Sequence, residues 1–236
     1  MHRLTVSGID IAYLDEGNGP HVIIGHCSSA SHKEWLPLIA ELKSDWHVLA
    51  PDFIGYGQSQ GWPPGKPFSI DADVSILASL AKKARRPLHL VGHSYGAALA
   101  LEAARKLGSR VKSLTLVEPV TFHLLKVERR AEWREVEELG IGVLSAVGKG
   151  DDRAAAAAFM SYWLGRWRWW LSPEKFKAAI AATIRKVALE FAIAIEAEQK
   201  QRIRRRHRTH AAHRREQDPR ACARCRRSAR RDPTQG

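Results

Sequence analysis

Cysteine is scarce in this chain: there are three in 236 residues, at positions 27, 222 and 225, too few for a disulfide framework. Long apolar runs are missing as well. None approaches the ~20 residues needed to cross a bilayer, and the opening MHRLTVSGID lacks the apolar stretch of a signal peptide. A cytoplasmic protein without a membrane partner is therefore expected. Negative charge is short in one place only. The formal net charge is +13, but residues 198–236 hold 14 Lys+Arg against 4 Asp+Glu, leaving residues 1–197 nearly balanced. A strongly basic balance ordinarily points to nucleic acid; here it belongs to a tail, and the body carries no such signal.

What is present is a core of ordinary composition, 44% hydrophobic and 8% aromatic. HRLTV and IDIAYLDEG alternate apolar and polar residues around Ser7-Gly8, which predicts a hairpin. HVIIG (21–25), WHVLAP (46–51), PLHLVG (87–92) and VKSLTLVEPV (111–120) read as short buried strands. Between them lie helical patterns: Trp35, Leu38, Ile39 and Leu42 on one face, then IDADVSILASLAKKARR, then YGAALALEAARKLG stopped by Gly108. Alternating strands and helices from 21 to 118 predict an α/β fold with a doubly wound, mostly parallel sheet.

From about 124 to 197 the pattern is purely helical, ending in SPEKFKAAIAATIRKVALEFAIAIEAE with Ser172 read as its N-cap and Pro173 at its first position. Four of the eight tryptophans fall within YWLGRWRWW. They serve either to fix these helices to the sheet or to wall a pocket for an apolar substrate. Three segments result: a core over 1–123, a helical cap over 124–197, and a basic tail over 198–236 expected to be disordered.

LVGHSYGAALA places Ser94 in a G-x-S-x-G pattern between a predicted strand and a predicted helix, the context in which a serine becomes a nucleophile. With IIGHCSSASHKEW after the first parallel strand and APDFIGYGQS after the second, the chain resembles the α/β-hydrolase superfamily over roughly residues 3–197. It looks most like small bacterial esterases, C–C bond hydrolases and cofactor-free haloperoxidases. The resemblance implies Ser94 as nucleophile and the backbone N–H groups of Tyr95 and Ser28 as oxyanion donors. His26, His93 and Asp52 would be structural, and Cys27, where the family usually has glycine, a small buried residue. The acid implied at the end of the strand after the nucleophile helix is Glu118. A small apolar ester or C–C substrate is expected, with neither cofactor nor metal.

The base is the missing member. The family order requires a histidine after the acid, and the candidates are His123, at the entrance to the cap, and His207, His210 and His213 in the tail. The tail also holds Cys222-x-x-Cys225, but its histidine spacing matches no zinc finger. Its composition has another reading. Shifted one nucleotide forward, the codons for Thr209 to Glu216 permit Pro-Thr-Leu-Leu-Ile-Val-Gly-Ser, the next strand such a fold requires. A change of reading frame between about residues 197 and 205 is therefore expected, with the encoded chain truncated before the catalytic histidine and SLTLV left as a bare sheet edge. The alternative is an inactive hydrolase-like protein whose arginine-rich tail binds nucleic acid or an acidic partner.

Overall fold

The computed structural model describes residues 1–84, 87–121 and 130–216. Two compact units are present, Met1–Ala194 and Ile195–Gly236. The first contains a six-stranded sheet. Strands β1 (His2–Val6), β2 (Ile9–Glu16), β3 (His21–Gly25), β4 (His47–Pro51), β5 (Leu88–His93) and β6 (Val111–Val117) lie in the order β1-β2-β4-β3-β5-β6. The pairings of β2 with β1 and β4 are antiparallel, whereas β4, β3, β5 and β6 run parallel. Ser7 and Gly8, both with positive φ (52° and 79°), make the two-residue turn that pairs Val6 with Ile9.

Helices α1 (Leu36–Leu42), α2 (Ile70–Lys83) and α3 (Tyr95–Leu107) connect these strands. α2 starts where the Ser69 hydroxyl accepts from Asp71 N–H, and α3 stops at Gly108, φ 56°. Ile11, Ile23, Leu49, Phe53, Leu77, Leu90 and Leu99 form the main core, while Leu14, Val22, Ile24, Ile39, Val48 and Ala50 form a second cluster. Leu38 departs from the expected α1 face and stays 39% exposed. The segment begins as a 3-10 turn (His32–Trp35), which shifts the phase of the short helix that follows.

The remaining helices are α4 (Arg130–Gly148), α5 (Asp152–Leu164), α6 (Arg166–Leu171) and α7 (Glu174–Glu216). The α5 N-terminus is closed by Asp151, whose carboxylate accepts from Ala154 N–H at 2.8 Å. Ser172 does not cap α7 as expected. Its hydroxyl donates to the Arg168 carbonyl at 2.8 Å, closing α6, and the Pro173 carbonyl instead accepts the first turn's bonds from Phe176 and Lys177. Nor do the tryptophans behave as one group. Trp169 is 9% exposed and packed in the core, whereas Trp167 and Trp170 are 77% and 67% exposed. In the second unit the backbone is helical to Glu216. Arginine dominates that stretch and is a good helix former despite its polarity. Cys222 and Cys225 lie outside the described residues.

Candidate functional site

Ser94 sits at the turn from β5 to α3 with φ 52° and ψ −114°, a strained conformation for a residue with a side chain. The close approach of three backbone segments enforces it. A Cβ on Gly92 would lie 2.4 Å from the Gly96 carbonyl oxygen, and one on Gly96 would lie 2.5 Å from the carbonyl oxygens of both Gly25 and His26. Glycine at both positions lets β3, β5 and α3 meet directly beneath the serine. Ser94 N–H donates to the Val117 carbonyl at 2.9 Å, tying the turn to β6, and the Ser94 carbonyl accepts from Ala97 and Ala98. Tyr95 opens α3, so its N–H points out of the helix with no intrahelical acceptor.

Ser28 lies on the loop after β3. Its hydroxyl donates to Glu190 Oε2 at 2.6 Å, and Tyr56 donates to Oε1 of the same carboxyl at 2.7 Å. Burial pushes the Glu190 carboxyl upward, a shift opposed by Lys186 and by these two hydrogen bonds. Lys186, one turn before Glu190 on α7, reaches Asp73 Oδ2 at 2.7 Å and the Tyr95 hydroxyl at 3.2 Å. Tyr95 also donates to Asp73, whose other oxygen accepts from Ile54 N–H. A buried polar network thus joins the cap helix, the loop carrying Ser28 and the first residue of α3. Sequence reasoning missed it. The signal available was a Lys-x-x-x-Glu pair inside the apolar face of α7, which otherwise presents Ile180, Ile184, Val187 and Phe191 to the core.

Glu118 follows β6 directly at φ 45°, a second non-glycine residue in the left-handed region near Ser94. Its side chain is 82% exposed, and Oε2 stands 3.8 Å from His93 Nε2. The other ring nitrogen of His93, Nδ1, is hydrogen-bonded to Glu34. His26 uses both nitrogens: Nε2 accepts from Phe53 N–H at 3.0 Å, so Nδ1 carries the proton donated to the Cys27 carbonyl at 2.7 Å. Burial lowers its pKa below the ordinary 6.5 and keeps the ring neutral. Asp52 binds His32 N–H and Nδ1 through one oxygen and Gln58 N–H through the other, ordering the loop after β4. His123 lies outside the described residues, as do the side chains of His207, His210 and His213.

Burial, followed by the Glu34 carboxylate, pushes the Cys27 thiol far above the ordinary thiol range, so it is not a nucleophile. A hollow on the cap is lined by Trp167, Trp169, Trp170, Arg153, Arg166 and Glu174, among others. Neither Ser94, Ser28 nor Glu118 contributes to its lining. This hollow is therefore distinct from the serine turn.

This strand–serine–helix turn, with its loop after β3, belongs to a recognisable group of proteins. Residues 20–167 match the family model described as alpha/beta hydrolase fold. The chain belongs to that family. Lipase LipV of Mycobacterium tuberculosis is 40% identical over 73 residues, 30% of this chain and 27% of the lipase. The 2-hydroxy-6-oxo-2,4-heptadienoate hydrolase of Pseudomonas putida is 32% identical over 117 residues, 48% of this chain and 42% of that enzyme. The chain spans less than half the length of these curated relatives. Among solved structures, an alpha/beta hydrolase from Sphaerobacter thermophilus superposes with TM-score 0.57 at 20% identity, over 81% of this chain and 73% of that one. The epoxide hydrolase of Bacillus megaterium gives 0.64 at 16% identity, over 80% and 70%. These two likenesses show the fold, and the two sequence relatives are named as a lipase and a hydrolase.

Proposed function

We propose that this chain carries the nucleophile half of a serine hydrolase acting on a small apolar ester or C–C bond substrate. The observation that carries the reading is Ser94 itself: a non-glycine residue at φ 52° between two glycines that admit no Cβ. Such strain persists only where the surrounding structure imposes it, and it lifts the serine hydroxyl off the end of the sheet.

In this reading Ser94 Oγ attacks the substrate carbonyl, and the resulting oxyanion is received by the N–H groups of Tyr95 and Ser28. An oxyanion donor of this kind contributes on the order of 3 kcal/mol to the transition state. The Glu190 carboxyl, by holding the Ser28 hydroxyl at 2.6 Å, fixes the loop on which one donor sits. Glu118 is the acid, positioned at the carboxyl end of a sheet strand.

No base is assigned. His26 has both ring nitrogens in use, and His93 is held by Glu34 on one side and faces Glu118 on the other. Loss of one triad member leaves the oxyanion hole and binding, worth a residual 10³–10⁴-fold over water. With none of the undescribed histidines, His123, His207, His210 and His213, serving Ser94, turnover by this polypeptide would be slow; the proposed frame change would account for the gap, since the alternative frame permits the next strand of the fold.

A fluorophosphonate probe tests the assignment. It should phosphonylate Ser94, lose the label in Ser94→Ala, and react faster when imidazole is added as a substitute base. Labelling that is absent from folded protein would remove Ser94 from the mechanism. Labelling that is fast and indifferent to imidazole would place a base within the chain.

A further inference from the structure

Cys27, Glu34 and His93 meet beside the nucleophile turn, and the function proposed above uses none of them. Each offers one donor atom, a thiol sulfur, a carboxylate oxygen and an imidazole nitrogen, and these atoms all lie within 4.8 Å of one another. All three side chains are half-buried, so the cluster is both shaped by its surroundings and open to solutes. Tetrahedral zinc, at about 2.3 Å to sulfur and 2.0–2.1 Å to nitrogen or oxygen, needs donors about 3.3–3.7 Å apart. Rotamer adjustments of roughly an ångström in the two longer side chains close the difference.

The orientation of the donors is already fixed by their partners. Cys27 N–H donates to Glu34 Oε2 at 2.8 Å, and His93 Nδ1 rests on Glu34 Oε1, so Glu34 gathers the other two around its carboxylate. With Nδ1 turned inward, Nε2 faces Glu118 at 3.8 Å. The three donors come from the loop after β3, the 3-10 turn before α1 and the end of β5.

We infer that Cys27, Glu34 and His93 form a binding site for one soft divalent cation of the zinc class, adjacent to Ser94. Thiolate, imidazole and carboxylate together favour zinc or cobalt over magnesium or calcium. Binding takes up the thiolate and releases the thiol proton to solvent. The fourth position is filled by water or a substrate atom. His93 immediately precedes Ser94 and Cys27 immediately precedes Ser28, so an occupied site clamps the backbone on both sides of the reacting centre.

The test is cobalt titration of the reduced full chain carrying Cys222→Ser and Cys225→Ser, which removes the tail thiols while leaving its histidines. One equivalent should produce a near-ultraviolet sulfur-to-cobalt charge-transfer band. Zinc should displace it, Cys27→Ser in the same background should abolish it, and His93→Gln should change the visible ligand-field spectrum. A missing band, or one that survives Cys27→Ser, overturns the site. Should the Cys27→Ser protein not fold, the chain with Cys27 intact decides: one equivalent of zinc should raise its thermal unfolding midpoint and His93→Gln should lose that rise, and a midpoint unmoved by zinc overturns the site. These readouts do not depend on Ser94 being a nucleophile. Zinc slowing the phosphonylation of Ser94 would add the link to the hydrolase reading.

Discussion

Gly92 and Gly96 show how little freedom the site has. Replacing either by alanine sets a methyl group against backbone atoms at 2.4–2.5 Å. Each substitution should therefore lower stability by about 2–3 kcal/mol or more, measured by urea unfolding. At His26 the prediction concerns pH. Its folded pKa lies below the ordinary 6.5, so the unfolded state takes up the proton first as pH falls. The stability contributed by keeping the ring neutral is full above about 6.5 and is lost as pH drops through the folded value. The midpoint of thermal unfolding should fall on acidification in the wild type and fall less in His26→Gln. An equal fall in both would contradict the role assigned to this ring. At this scale the G-x-S-x-G pattern could be read directly from sequence, because glycine spacing encodes backbone geometry. The Glu34, Cys27 and His93 cluster could not, because its members are separated by seven and then fifty-nine residues and meet only when β3 and β5 pair.

Among the elements, α7 is the one whose behaviour depends most on a few side chains. It brings Lys186, 6% exposed, against the fully buried Asp73. Removing one partner of a buried pair costs about 3–5 kcal/mol, because the other charge is left uncompensated. Lys186→Met should reach that range, and Lys186→Met with Asp73→Asn should recover part of it; chemical denaturation of both proteins checks the pair. The short helix α6 makes the opposite case. Trp167→Ala and Trp170→Ala should each change stability by about 0.5 kcal/mol or less, while Trp169→Ala should cost about 3 kcal/mol or more. Comparable losses at all three positions would mean that the exposed rings are packed in solution. The sequence marked these elements correctly as helices but not their faces. Composition in RWRWWL carries no phase over six residues, and the Ser172 hydroxyl had two helix ends within reach.

For the whole molecule, the parallel run of β4, β3, β5 and β6 follows from the alternation of apolar segments and helices, which is why the fold class was legible, whereas the strand order was not. The bare edge expected at SLTLV is where β6 stands last in the sheet among the described residues, with Val117 41% exposed. An apolar edge of this kind templates pairing between chains. Val117→Lys should raise the concentration at which light scattering appears without changing the thermal midpoint by more than a few degrees. Scattering unchanged by that substitution would mean that self-association uses another surface. The chain matches less than half of its curated relatives, and no base stands beside Ser94 among the described residues. The hydrolase chemistry proposed for this protein therefore depends on the serine first. Phosphonylation of the folded protein, located by peptide mass, tests that dependence most directly. A single label on Ser94, accelerated by imidazole and absent from Ser94→Ala, is the predicted result. Folded protein that takes no label at Ser94, with or without imidazole, would contradict the assignment of this turn as a hydrolase nucleophile.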